Sequence, residues 1–190
     1  MRRFNSIYLA GPDPYFPDGE ALLTRKRELC QGMGMTVVGG RKAVPEGAEG
    51  ARASELQARI LYSETLQALR GADAVIANLT PWRGPDCEPA TAFEMGFASA
   101  LGKPVFAYMN VEDEAEAEYL GRVESMLGAQ LDAHGVWRDP DGGEVEDLDL
   151  PESLMLWAEA RRFYIIVTPD PLGDVTGMEL CLDALKLYAD

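Results

Sequence analysis

Cations are scarce in this 190-residue chain: 17 Lys and Arg stand against 32 Asp and Glu, leaving a formal charge of -15. A surface of that sign repels polyanions, and no Lys/Arg cluster interrupts it, so nucleic acid is excluded as a partner. Histidine is almost absent. The one residue, His134, lies in a polar stretch without a neighbouring Cys/His set, which leaves no zinc site and no Ser-His-Asp triad, and no GxSxG elbow accompanies it. The three cysteines, Cys30, Cys87 and Cys181, form no CxxC pair and fit a reducing compartment. No run of 18 apolar residues exists to span a membrane, and Met1-Arg2-Arg3-Phe4 reaches Gly11-Pro12 without the apolar stretch of a signal peptide, so a cytoplasmic protein is expected. Neither GxGxxG nor GxxxxGK[ST] occurs, so nucleotide-cofactor cradles are unsupported, and no cofactor or metal is expected.

What is present is a folded-protein composition, 47% hydrophobic and 26% charged, at a length that suits one domain over residues 1–190. Ile7-Tyr8-Leu9-Ala10, Thr36-Val37-Val38, Ala74 to Leu79, Pro104 to Tyr108 and Tyr164 to Val167 read as five strands. Helical spacing fills Gly19 to Cys30, a segment capped by Ser54 and running to about Leu69, Thr91 to Leu101, Pro151 to Arg161 and Thr176 to Tyr188. Strands alternating with helices imply an α/β fold with an open, mostly parallel sheet, whose ligands sit beyond the carboxyl ends of the strands. Gly39 to Gly50 reads as a loop, Glu112 to Glu118 as a solvated helix start, and 132–150 as a long loop insertion that covers a site.

One helical segment carries an anomaly. Glu94 stands among Ala92, Phe93, Met95 and Phe97, where a carboxylate costs several kcal/mol unless it is paired or used, on the order of a buried charge. Glu88, six residues earlier, is placed to approach it across the first helical turn, and two close carboxylates can divide nucleophile and proton-transfer roles. The alternative is a buried carboxylate that merely accepts backbone hydrogen bonds. Tyr8 and the loop Gly11-Pro12-Asp13 follow the first strand, where an open α/β sheet places its ligand contacts; Tyr8 is equally readable as an interior aromatic.

Taken in order, Ile7-Tyr8-Leu9-Ala10-Gly11-Pro12, Ala72 to Gly84, Thr91-Ala92-Phe93-Glu94-Met95-Gly96 and Gly102-Lys103-Pro104-Val105 resemble the nucleoside 2-deoxyribosyltransferase family, with weaker agreement at Leu154-Met155-Leu156 and Thr176 to Leu180. The resemblance implies a flavodoxin-like, doubly wound five-stranded sheet with helices on both faces. It implies a homo-oligomer whose neighbouring subunits complete each pocket, with deoxyribonucleosides and free nucleobases as partners. By the same resemblance Glu94 is the nucleophile that attacks C1′ of a 2′-deoxyribonucleoside, and a second base then displaces it with overall retention. Tyr8 orients that carboxylate and Glu88 is the second catalytic carboxyl. Gly11, Asp13, Phe16, Asn78, Arg83 and Met155 border sugar and base, while Asp73 at a strand entrance is structural.

Three positions depart from the family pattern. Glu88 replaces a shorter Asp, with Asp86 close enough to substitute for it. Thr65, beside Glu64, stands where Asp or Asn meets the base, and a hydroxyl is a poor general acid. Ser153 replaces an Asn that reaches the sugar 5′-hydroxyl of a neighbour, and serine there resembles the 2′-deoxynucleoside 5′-monophosphate N-glycosidases. A hydrolase is therefore the alternative reading, and a noncatalytic nucleoside-binding module a more distant one.

Overall fold

The computed structural model describes residues 4–39 and 55–189. Within them the chain runs β1 (Ser6–Ala10), α1 (Gly19–Gly32), β2 (Thr36–Val37), α2 (Glu55–Gly71), β3 (Ala74–Asn78), α3 (Pro89–Ala100), β4 (Val105–Val111), α4 (Tyr119–Leu127), β5 (Gln130–Leu131), β6 (Trp137–Arg138), α5 (Leu154–Glu159), β7 (Phe163–Val167) and α6 (Thr176–Ala189). The main sheet has the order β2-β1-β3-β4-β7, and each of its pairings is parallel. This is the doubly wound order in which the first strand moves one way and the third the other. The expected five-stranded flavodoxin-like sheet is thus the observed one.

Alternation along the strands separates two cores. Ile7, Leu9, Ile76, Phe106 and Tyr108 pack with Cys30 of α1 and with Met178, Cys181 and Leu182 of α6. Tyr8, Ala10, Val75, Ala77, Val105 and Ala107 pack on the other face with Leu66 and Leu69 of α2, Met95 and Ala98 of α3, and Leu156 of α5. Strands buried on both sides need near-continuous apolar sequence, which is why Ala74–Asn78 and Val105–Val111 are buried throughout. Asp73 closes the sheet's lower edge, its Oδ2 accepting from the Asn5 and Ser6 amides at 2.8 and 2.9 Å and from the Ser6 hydroxyl at 2.9 Å.

Several expectations need correction. β4 extends three residues beyond Tyr108, because Asn110 finds its partners in the carbonyls of Pro171 and Asp174 at 2.9 and 3.0 Å and so fits inside a strand. The helix expected over 151–161 contracts to Leu154–Glu159. Its beginning is lost because the Ser153 backbone is not helical and its amide bonds the Glu152 carboxylate at 2.8 Å; its end is lost because the Arg161 amide already bonds Val105 of the sheet at 2.8 Å. Of the acidic stretch only Glu118 heads an α-helix, as the N-cap of α4, which begins at Tyr119; Glu114–Glu116 is a single 3-10 turn capped by Asp113. Residues 132–150 are not simply a loop. Asp132 accepts from the amides of exposed His134 and of Val136 and from Arg138 Nε, closing the β5–β6 hairpin, while Val145 and Trp137 pack on Val123 of α4. The Ser54 cap and the loop over 40–50 fall outside the described residues. No helix among the described residues is long and apolar enough to cross a membrane.

Candidate active site

The loops after β1 and β3 leave the sheet toward helices on opposite faces, opening a crevice between the two strand ends. Glu94 approaches this region from α3. It is 2% exposed, and the Tyr8 hydroxyl donates to its Oε1 at 2.9 Å, so a strand residue and a helix residue 86 positions apart meet within one core. A phenol donating to a carboxylate fixes its direction. The Tyr8 ring is part of the core, and its hydroxyl is paired with Glu94.

Glu88 is the N-cap of α3. Its Oε2 accepts from the Thr91 amide at 2.7 Å and the Thr91 hydroxyl at 2.9 Å, with Pro89 following at the first helical positions. Glutamate is an uncommon cap, and the extended Glu88 backbone brings its carboxylate back over the first turn. Asp86 is exposed and acts on Tyr119, whose hydroxyl burial and this acidic neighbour push up to about 12.

On the other side of the crevice, Asp13 is 2% exposed and its Oδ1 accepts from Lys26 Nζ and from Asn78 Nδ2, the latter at 3.0 Å. Asn78 Oδ1 in turn accepts from the Thr80 amide and hydroxyl at 3.0 and 2.6 Å. Asp13 and Asn78 thus tie the two loops together. Gly11 allows this closure: a Cβ there would meet Asp13 Oδ2 at 2.6 Å and the Asn78 Cβ at 2.8 Å. Phe16 is buried against Trp82, with ring centroids 5.5 Å apart; Tyr15 stacks on the same indole at 6.1 Å, and Arg83 lies over it at 4.9 Å. Arg83 takes φ 60°, a left-handed conformation in a Gly-Pro loop that the Trp82 amide closes onto the Asp86 carbonyl at 2.9 Å.

Thr65 is half-buried on α2, one turn from Ala68 on the face that packs on Tyr8. Ser153 heads α5 without its hydroxyl capping that helix. Met155 is 79% exposed and packs in no core within this chain. Beside it Leu154 and Trp157 are also exposed, and α5 packs on α3. The structure thus brings Tyr8 to Glu94, Asp13 to Asn78 and Phe16 to the Trp82–Arg83 loop, and sets Met155 on an outer face.

Four contributors escaped sequence reading. Lys26 anchors Asp13, and Trp82 joins both crevice loops. Gly39, at φ 72°, sits where a Cβ would lie 2.4 Å from the Ala68 Cβ and 3.2 Å from the Tyr8 ring, so only glycine leaves that ring in place. Arg122 is fully buried and donates to the carbonyls of Pro85 and Glu116 at 2.8 and 2.9 Å and to Glu152 Oε2 at 3.3 Å. Trp82 alone had a visible signal, an aromatic in a Gly/Pro loop after a strand. Among the described residues no group of three or more His, Cys, Asp or Glu is arranged to hold a metal ion.

Comparison with known proteins agrees with this fold. An uncharacterized protein of Schizosaccharomyces pombe, C191.05c, is 32% identical over 110 residues, which cover 54% of this chain; the match spans 48%, about half, of that protein's length. A solved 2-desoxiribosyltransferase from Leishmania mexicana superposes with a TM-score of 0.63 at 26% identity, over 94% of this chain and 97% of its own. A 2-deoxyribosyltransferase from Bacillus psychrosaccharolyticus aligns over 55% of this chain and 72% of its own, at 24% identity and a TM-score of 0.43. The model of the nucleoside 2-deoxyribosyltransferase family matches residues 7–155, a span that contains the β1 loop, Glu94 and Ser153. With the match extending over most of the chain, the protein belongs to the nucleoside 2-deoxyribosyltransferase family.

Proposed function

We propose that the protein exchanges the purine or pyrimidine base of 2′-deoxyribonucleosides through a covalent 2-deoxyribosyl–Glu94 intermediate. The observation that carries this reading is the buried Tyr8–Glu94 hydrogen bond beside the crevice, which supplies a carboxylate with a fixed direction in an apolar setting. A Glu94 oxygen attacks C1′ as the C1′–N bond breaks, and the bonding pair leaves with the base nitrogen, which takes up a proton. The second base attacks C1′ from the opposite face, gives up a proton and restores the carboxylate. Two inversions retain configuration, as in retaining glycosidases. Because one base takes up the proton that the other yields, exchange needs a shuttle and no net acid; Glu88 is assigned that task, with Asp86 as the alternative carboxyl.

The loop residues Gly11, Asp13 and Asn78 shape the sugar side, and Phe16, Trp82 and Arg83 form a wall toward the base. Thr65 faces the base from α2 and hydrogen-bonds it without acting as an acid. Ser153 and Met155 serve the pocket of a neighbouring copy in a homo-oligomer, in keeping with the exposed Leu154, Met155 and Trp157. The protein works in the cytoplasm in nucleotide salvage.

A second reading is favoured by Ser153, whose hydroxyl does not cap α5: release of base from a 2′-deoxynucleoside 5′-monophosphate by water. Both are tested by following 2′-deoxyinosine plus adenine by chromatography, beside a reaction without acceptor and one with a deoxynucleoside 5′-monophosphate. Adenine-dependent formation of 2′-deoxyadenosine supports transfer, and base release from the monophosphate alone supports the hydrolase. A folded Glu94→Gln variant with undiminished turnover refutes both.

A further inference from the structure

Lysine is rarely buried, and Lys26 of α1 is 2% exposed. Its ammonium has two defined partners, Asp13 Oδ1 and the Tyr108 hydroxyl, and lies 5.3 Å from the centre of the Tyr108 ring. Tyr108 is itself held by α6, whose Gly177 approaches so closely that a Cβ would fall 2.5 Å from the ring. The cation is therefore set by three elements of the rigid core, and what it presents to the crevice is the Asp13 carboxylate.

That carboxylate is the junction of the two loops that border the crevice. The same Oδ1 that meets Lys26 accepts from Asn78, and Asn78 holds Thr80 at the start of the opposite loop. Local backbone bonds close the Pro12–Phe16 turn, from the Tyr15 amide to Pro12 and from the Phe16 amide to Asp13. They set its shape but not its place. A buried ion pair is seldom the most stable way to fill such a space, since apolar residues of similar volume do as well or better. Orientation is what the pair adds.

We propose that Lys26 is a positioning residue of this site, its ammonium fixing the Gly11–Phe16 loop at the crevice through Asp13. The inference rests on the proposed function for its catalytic consequence, while the placement of the loop can be read separately. Lys26→Met, Asp13→Asn and the double variant are compared with the unsubstituted protein by amide hydrogen exchange and by steady-state kinetics. Exchange over residues 11–16 rises about tenfold in Lys26→Met, while the second half of α1 and α6 keep their protection. For deoxyribonucleoside exchange kcat/KM falls about 30-fold, the order of loss that a displaced positioning element causes. The double variant is no slower than Asp13→Asn, because Lys26 acts through Asp13.

Unchanged exchange over residues 11–16 overturns the proposal, as does a loss in the double variant equal to the product of the single losses. Failure of both Lys26→Met and the double variant to fold also overturns it, since Lys26 is then a requirement of the fold as a whole. If the unsubstituted protein neither transfers nor releases bases, the functional reading falls, and hydrogen exchange still decides whether Lys26 places the loop.

Discussion

Replacing Tyr8 by Phe removes one oxygen and tests the central contact of the site. The ring remains packed against Gly39 and the surrounding core, so the fold is expected to persist. What disappears is the 2.9 Å bond to Glu94 Oε1. A hydrogen bond to a charged group contributes roughly 1.5–3 kcal/mol, and if the bond aims the nucleophile in the transition state the loss in rate is about 10- to 150-fold. Thermal stability also falls, since a buried carboxylate oxygen that loses a donor costs about 1–3 kcal/mol. The assay is rapid mixing of enzyme with 2′-deoxyinosine in the absence of acceptor, quenched and analysed for released base and, by intact mass, for deoxyribosylated protein. The burst of base release slows in Tyr8→Phe, while its amplitude still approaches one per site. A burst as fast as that of the unsubstituted protein, in a variant of native circular dichroism, refutes the assignment of Tyr8 as the residue that orients Glu94.

The remaining expectations concern support of the site. Gly39→Ala combines a left-handed φ with a Cβ that collides with Ala68, so urea unfolding should show a loss of about 1–3 kcal/mol together with reduced turnover. Arg122→Met leaves Glu152 without its guanidinium and should cost about 3–5 kcal/mol in the same measurement, and replacing Glu152 as well should restore part of it. For Asp73, desolvation raises the carboxyl, but the Asn5 amide and the Ser6 hydroxyl and amide outweigh it, with Lys103 adding to them, and hold it below its ordinary 3.8. Its contribution is therefore present above that value and lost as pH falls through the depressed one; the Tm gap between the protein and Asp73→Asn should close as pH falls below 3.8. Burial, reinforced by Glu152, Asp86 and Glu88, pushes the Cys87 thiol up to about 12, so iodoacetamide at pH 8 should label it only on unfolding.

Much of the fold was legible because buried parallel strands demand apolar runs and the segments between them keep helical spacing. Glu94 was legible for the opposite reason, as a charge where the pattern calls for none. Lys26 was not, since in sequence it is one cation in Thr24-Arg25-Lys26-Arg27, and its burial follows only from the way α1 turns on the sheet. Arg122 was hidden in the same way, its partners at Pro85, Glu116 and Glu152 lying on separate segments. The shortening of α5 could not be read from spacing because tertiary bonds at Ser153 and Arg161 override local propensity. Glu88 illustrates a subtler limit: its distance from Glu94 was countable, but its bonds to Thr91 depend on a backbone that becomes extended at that residue.

Arg122 also bears on how the site assembles. Its guanidinium, carried by α4, has all its partners only when the Glu114–Glu116 turn, the Pro85 loop and the segment leading to α5 are docked, and each of these three supplies one acceptor. With any one of them undocked, a buried donor lacks its partner, so intermediate arrangements are penalised and the three segments form one cooperative unit. Opening of the loop before α3 is thereby coupled to release of the Ser153 segment, and the two walls reach the folded state together.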